Sequence, residues 1–469
     1  MQWNVLNDSE VQAIHQATLR ILAEVGIVLG HAGAREVLAG AGARITGARV
    51  RLPPDVVEGA VAHCPRRVTI RGRGGQAAVL GDGSLHWHNL GGAREVYDPQ
   101  TGQRRPATVQ DVQDAARLLD ALDSVTTVTP FFTPQDVPGA VMSLAMLRHT
   151  LSHTVKPLHG PGVQTAAEVH YAARMAAVVG PPAEVLTLGV SPVSPLFFPD
   201  DAAESIVEVA RLGIPLGPLP CPIAGATAPM TLAGALAQQN AEVLAALVLA
   251  QAVRPGLPVV YHGRLAMMDL RTGGTAWGGA EVGLVSAATV QLAHHYGLPV
   301  NVYGLSTDVH LPNFQNGYER ALNAIVPALA GADELSGIGE TGGGALSSYA
   351  QIVLDDEVAA AVRRIRRGLA VDESALAVEV IAAVMDGPHN FLSERHTVRA
   401  LRGGEMLHTR LAERRPWDAW DAAGREGMVE RAQAEAARLL AEYVVPPLDE
   451  AQERELDDIL RAAERELVK

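Results

Sequence analysis

The sequence predicts an α/β fold: a (β/α)8 TIM barrel with an N-terminal helical and β extension and C-terminal helices. Two observations carry this. From Thr108 onward, short apolar runs alternate with helical patterns. The strand candidates are 124–130, 154–160, 184–190, 214–220, 257–263, 298–304 and 333–339, with an eighth expected in 345–353. Seven or eight strand–helix units in about 240 residues are what such a barrel needs. The competing open, doubly wound sheet would place a GxGxxG turn after its first strand, and none is there. The expected division is 1–107 for the extension, 108–370 for the barrel and 371–469 for a helical segment packed on the barrel or a partner subunit.

Each element follows from local chemistry. Asn7 or Ser9 can cap a first helix whose apolar positions Val11, Ile14, Ala17, Leu19, Ile21, Leu22 and Val25 recur at helical spacing. Pro53-Pro54-Asp55 opens a second, with proline in its first turn. Residues 67–98 change to short strands separated by glycine, and 98–102 (DPQTG) is a turn signal. Thr108, with Asp111 three residues on, caps the helix that begins the alternation. The intervening helices are expected at 139–152, 165–179, 199–212, 231–253, 279–296 and 316–330. Beyond Val371 the pattern is helical only. There Trp417, Trp420 and Tyr443 are expected to dock the tail on the barrel or on a second subunit, which favours a homo-oligomer.

Composition bounds the function. Hydrophobic residues make up 48% and charged residues 19%, as in a globular protein. A formal net charge of −14 disfavours nucleic acid and anionic membranes as partners. Two cysteines, Cys64 and Cys221, build neither a disulfide framework nor a multi-cysteine zinc site. The first fifteen or so residues lack a signal-peptide pattern, and the longest apolar run, 241–253, is interrupted and too short to span a bilayer. A cytoplasmic location is expected.

The densest polar set in the middle of the chain lies in 299–320, PVNVYGLSTDVHLPNFQNGYER. A loop of about fifteen residues between one strand and its helix exceeds the usual two to six, and such loops carry function. This one holds Asp308, His310, Asn313 and Gln315. Aromatic residues are only 4% of the chain, yet Phe131, Phe132, Phe197, Phe198, Tyr261 and Tyr303 fall at strand C-terminal ends, and Trp277, Phe314 and Tyr349 near the loops of the same end. That is the face where barrel active sites form. Converging rings there would hold a quaternary ammonium by cation–π attraction; the alternative is that they plug the barrel mouth. His86 and His88 on one strand, with His159 and His262 at strand ends, keep a metal-dependent hydrolase open as a second reading. A third is a binding protein that performs no transfer. Glycine runs at 273–274, 278–279 and 342–344 would let backbone approach a ligand closely, without a P-loop pattern.

Several segments resemble the trimethylamine methyltransferase family: EVQAIHQATLRILAEVGI, VYDPQTGQRRPATVQDVQDAARLLDAL, GALAQQNAEVLAALVLAQAVRPGLPVVY, LSTDVHLPNFQNGYERAL, SSYAQIVLDDEV and PPLDEAQERELDDIL. The resemblance implies a TIM barrel that moves a methyl group from an amine to the cobalt of a separate corrinoid protein, with no tightly bound cofactor of its own. Some members carry pyrrolysine at or next to the position of His310. This chain has ordinary residues there, so it resembles the non-pyrrolysine branch, which demethylates quaternary amines such as glycine betaine. The implied site has Asp308 and His310 as catalytic candidates, Tyr261, Trp277, Tyr303, Phe314 and Tyr349 around the amine, and His310, Asn313 or Arg264 as donors to a substrate carboxylate. A quaternary nitrogen leaves as a neutral amine, so no proton-transfer triad is expected.

Overall fold

Parallel pairing runs through eight short segments of the chain and returns to its start. In the computed structural model, which describes residues 3–99, 101–387 and 389–468, His86–Asn89 pairs with Glu334–Ile338, that strand with Val300–Tyr303, and that in turn with Tyr261–Gly263. The ring continues from Val259 to Leu216, from Leu216–Pro218 to Leu188–Val190, and from Leu186 through Leu158 to Val128. It closes where the backbone N–H of Thr126 donates to the Trp87 carbonyl at 2.9 Å. Apart from His86–Asn89, the buried runs are largely apolar because helices cover their outer faces.

Seven of the expected strand segments take part in this circuit. The eighth does not lie in 345–353. There Ser348 caps a helix, Tyr349–Arg367, and only Leu346–Ser347 is extended. The missing strand is His86–Asn89, from the segment read as a small β excursion, so the circuit begins before residue 108. Its identity was hidden because a hairpin, Glu95–Tyr97 with Arg104–Pro106, separates it from its helix, Val109–Ala121. That hairpin joins Leu346–Ser347 and Glu340–Thr341 in a four-stranded sheet beyond the C-terminal ends of two ring strands.

The helices follow their signals. Thr108 and Asp111 form the expected capping box, and Asn7 forms one with Glu10. Leu232–Val253 is buried on nearly every side, which explains an apolar character that is not confined to one face. It is the one described helix long and apolar enough to cross a membrane, and 83% of its most apolar window is buried. Its polar residues are paired: Asn240 donates to the Tyr296 hydroxyl at 2.7 Å and Gln239 to Thr289 at 3.1 Å. At the other end of the chain, Glu450–Leu467 docks through Arg148, which meets Asp457 at 2.7 Å and Glu453 at 2.8 Å. Tyr443 docks the tail as expected, its hydroxyl 2.7 Å from Asp120. The tryptophan pair does not. Trp417 and Trp420 pack on each other with ring centres 5.1 Å apart, and Trp417 remains 65% exposed.

Candidate active site

Strand alternation sends Tyr261 and His262 to opposite sides. Tyr261 points outward, its hydroxyl 3.1 Å from Asn240 on the covering helix, and so gives no face to a ligand inside the ring. His262 points inward, where its Nε2 lies 3.2 Å from Nε2 of His159. Nδ1 of His159 in turn meets Glu334 in an ion-pair contact. The Glu334 carboxylate also accepts from the Thr127 hydroxyl and, at 2.5 Å, from Asn301. Asn301 donates to His88 Nε2 as well, at 2.7 Å, while its own carbonyl oxygen accepts from Arg264. One carboxylate, three imidazoles, one amide and one guanidinium thus form a single buried network.

Charge explains why the network is stable where it is. Burial alone would raise the Glu334 carboxyl, but the His159 and His88 rings and the donors around it hold it well below its ordinary range. Burial pushes His262 well below the usual imidazole range and His88 down to about 4, so both rings are neutral near pH 7. Arg264 and Glu334 bring opposite charges to the network, so neither is buried without compensation.

Arg264 also connects this network to the aromatic residues. Its guanidinium lies 4.8 Å over the Tyr303 ring, and Tyr303 meets Trp277 edge to face at 5.4 Å. One face of Tyr303 is therefore already covered by the protein's own cation. Asp308 accepts from the backbone N–H groups of Trp277 at 2.8 Å and Gly278 at 3.0 Å, which fixes the turn that carries the indole. Burial pushes the Asp308 carboxyl upward, and Glu319 adds to this. His310 is exposed and stands against Gly342, where any Cβ would lie 2.8 Å from its Nδ1. Gly343 meets Trp277 in the same way. The glycine run thus lets the turn at 342–344 pass close to both rings.

The structure therefore brings Trp277, Tyr303, Asp308 and His310 to one end of the strand ring. It places the other expected residues elsewhere. Phe314 is 88% exposed and packs on Tyr318. Asn313 is spent as the N-cap of Phe314–Ala330, accepting from Asn316. Tyr349 donates to Asp111 at 2.7 Å, so it braces the helix after the hairpin. Two residues the sequence reading passed over, Glu334 and Asn301, are central. Their signal was a polar side chain inside an otherwise apolar strand or at its end, which is rarely accidental. Among the described residues, no three His, Cys, Asp or Glu side chains converge in a metal-ligating arrangement, so the hydrolase reading with His86, His88, His159 and His262 has no geometric support.

Beside the network lies a cavity of about 620 Å³. His88, His262 and Arg264 form one wall, and glycines at 91–92, 160 and 162 leave its rim without side chains.

Comparison with known proteins places the chain in a family. The family model described as trimethylamine methyltransferase matches residues 1–467. A trimethylamine methyltransferase, MttB, of Desulfitobacterium hafniense is 32% identical over 469 residues, covering 98% of this chain and 94% of its own length. A glycine betaine methyltransferase of the same species is 31% identical over 457 residues, covering 96% and 94%. The solved structure of the Methanosarcina barkeri monomethylamine methyltransferase superposes with a TM-score of 0.55 at 14% identity, over 95% of this chain and 89% of that one.

Proposed function

Since the chain belongs to the trimethylamine methyltransferase family, we propose that it transfers a methyl group from a quaternary amine, glycine betaine or a similar betaine, to the Co(I) of a cognate corrinoid protein. The eight-segment ring is read as a (β/α)8 barrel, which puts the cavity at the end where barrel active sites form. The observation that carries the substrate reading is Arg264, buried at 4% exposure on the cavity wall and seated on Tyr303. A simple ammonium ion would be repelled by that guanidinium. A zwitterion resolves the conflict, with its carboxylate at Arg264 and its ammonium end turned away.

The chain's own residues then bind, orient and exclude water. Trp277 and Tyr303 do not line the cavity; Tyr303, backed by Trp277, instead seats the Arg264 guanidinium that does. Asp308, its oxygens committed to two backbone amides, positions Trp277. Exposed His310 stands where an incoming corrinoid protein would touch. As the methyl carbon bonds to cobalt, the carbon–nitrogen bond breaks and its electron pair stays on nitrogen. The product amine leaves neutral, and no general acid is needed. The chemistry asks for alignment, which is worth several kcal/mol when reacting atoms are held near contact. Cys64 and Cys221 are both free, consistent with work in a reducing cytoplasm.

The test is spectral. Reduced cobalamin, the enzyme and a panel of betaines, tertiary amines and tetramethylammonium are mixed, and the Co(I) absorption is followed. Enzyme-dependent loss of the Co(I) band with a betaine is the expected result. No loss with any amine, also in the presence of a corrinoid methyl-acceptor protein, would overturn the proposal.

A further inference from the structure

The cavity wall has an electrical polarity as well as a shape. Apart from the His88 and His262 imidazoles, only two of the described side chains that line it are ionisable, Arg264 and Asp201. No phenylalanine, tyrosine or tryptophan among the described residues lines it, so cation–π attraction is not what holds an ammonium there. The apolar part of the wall is aliphatic and thioether: Met142, Met146, Pro161, Val163 and Leu219. Such groups accept methyls without telling a cation from a neutral group of the same shape.

Arg264 is the deep pole. Its Nη1 donates to the Gly263 and Asn301 carbonyls at 2.9 and 3.1 Å, and its Nη2 to the Asn301 side chain. A guanidinium has five N–H groups, so one on Nη2 and the one on Nε are left over, and Nε is not sealed from solvent. Asp201 is the outer pole. It stands exposed in the first turn of the helix Asp200–Leu212, and its carboxylate has no hydrogen-bond or ion-pair partner among the described residues. The two charges follow strands two steps apart in the ring. Leu188–Val190 precedes Asp201 and pairs with Leu216–Pro218, and Leu216 bridges Val259, just before the strand that leads to Arg264. At about 4.8 Å per step those strands are roughly 10 Å apart, which leaves room for a ligand between the poles.

We propose that Asp201 is the specificity-determining contact for the ammonium end of the betaine, whose carboxylate end lies at Arg264. This rests on the reading of the cavity as the amine site, and it orients the ligand there. The methyl groups lie toward the exposed mouth, where the rim glycines leave a cobalt centre free to approach. Acids in a first turn also serve the helix dipole, and Asp200 is the internal comparison for that role. It carries the same charge in the same turn, yet it packs against Gly30 and does not line the cavity.

Titration calorimetry with carbon isosteres tests it. Glycine betaine is paired with 3,3-dimethylbutanoate, and γ-butyrobetaine with 5,5-dimethylhexanoate; each isostere has carbon in place of the ammonium nitrogen. For the tighter-binding pair, Asp201→Asn is expected to weaken the betaine about three- to tenfold. It should leave the isostere unchanged or slightly tighter, because the isostere's only charge is a carboxylate that Asp201 repels. Retained isostere binding also shows that the variant is folded. Asp200→Asn should leave both ligands within about twofold. Equal effects of Asp201→Asn on betaine and isostere, including no effect on either, would overturn the proposal. So would an Asp200→Asn variant that weakens the betaine as much, since the loss would then follow net charge and not contact. A betaine preference that Asp201→Asn removes, without methyl transfer to cobalt, would sink the reaction assignment alone and leave the contact standing.

Discussion

Glu340 has a carboxyl oxygen without a partner in a site that is 2% exposed. Burial pushes its pKa up to about 8, only partly offset by Arg320 and Arg264. The sign of the consequence is definite. Below the ordinary range near 4.5 the group is neutral folded or unfolded. Between about 4.5 and 8 the unfolded chain releases the proton and the folded one keeps it, so stability falls by about 1.4 kcal/mol per pH unit. Glutamine at this position has no proton to keep. Glu340→Gln is expected to gain stability over the wild type progressively across that window, read as urea midpoints near pH 5 and near pH 9; a constant difference would refute the assignment. Arg264 yields a second prediction. Replacing it with methionine removes the charge-assisted contact to a carboxylate, worth about 1.5–3 kcal/mol, and betaine affinity should fall ten- to hundredfold by calorimetry. Tetramethylammonium, freed from repulsion, should bind no worse. If both ligands lose equally, Arg264 is merely structural.

At the scale of elements, the strand Leu216–Pro218 supports the site through what it lacks. A methyl group on Gly217 would meet His262 Cε1 at 2.4 Å and Nδ1 at 2.8 Å. Gly217→Ala should displace the ring, cost about 1–3 kcal/mol by overpacking and weaken ligand binding. Gly59→Ala is the control. That glycine lies in the helix Pro54–His63 with open space around its Cβ, so the change should stabilise the chain by about 0.5–1 kcal/mol and leave binding intact. The same contrast describes what the sequence could reveal. Helix positions and most of the strands were legible because 3.6-residue periodicity and caps such as Thr108 with Asp111 are written locally. The strand His86–Asn89 was not, since a polar run reads as an edge element until its partners Glu334–Ile338 are known. Tyr261 and Tyr349 were placed near the site by position along the chain, but the direction of a side chain depends on which face its strand or helix buries. Trp277, Tyr303 and Asp308 are brought together by the long loop that stood out in the sequence. Glu334 and Asn301 converge only through register between two paired strands, a long-range fact that no local pattern carries.

For the whole molecule, the segment 369–406 is the part that a single copy leaves unexplained. Its two longer helices, Val378–Met385 and Arg395–Arg402, are amphipathic, yet among the described residues of the segment only Val384 is buried. Leu369, Val371, Val378, Met385 and Leu392 are between 62% and 87% exposed. The segment is tied to the body mainly by Arg364 and Arg367, which donate to backbone carbonyls at 403–405. Scattered surface apolar residues need no account, but a contiguous apolar stretch of this length marks an interface. A second copy of the chain is the occupant we expect, because a self-complementary contact lets each copy cover the same stretch of the other. Burying an exposed leucine or valine is worth about 1.5–3 kcal/mol, so four or five per protomer suffice for a stable pair. Light scattering behind size exclusion should give a dimer or a larger closed assembly at micromolar concentration. Val378→Asp combined with Leu392→Asp should yield a folded monomer, with an unchanged circular dichroism spectrum and betaine affinity within about threefold of the wild type, since neither residue approaches the cavity. A monomeric wild-type protein would assign the stretch to a different partner, and the incoming corrinoid protein would then be the first to test by pull-down with the same double variant.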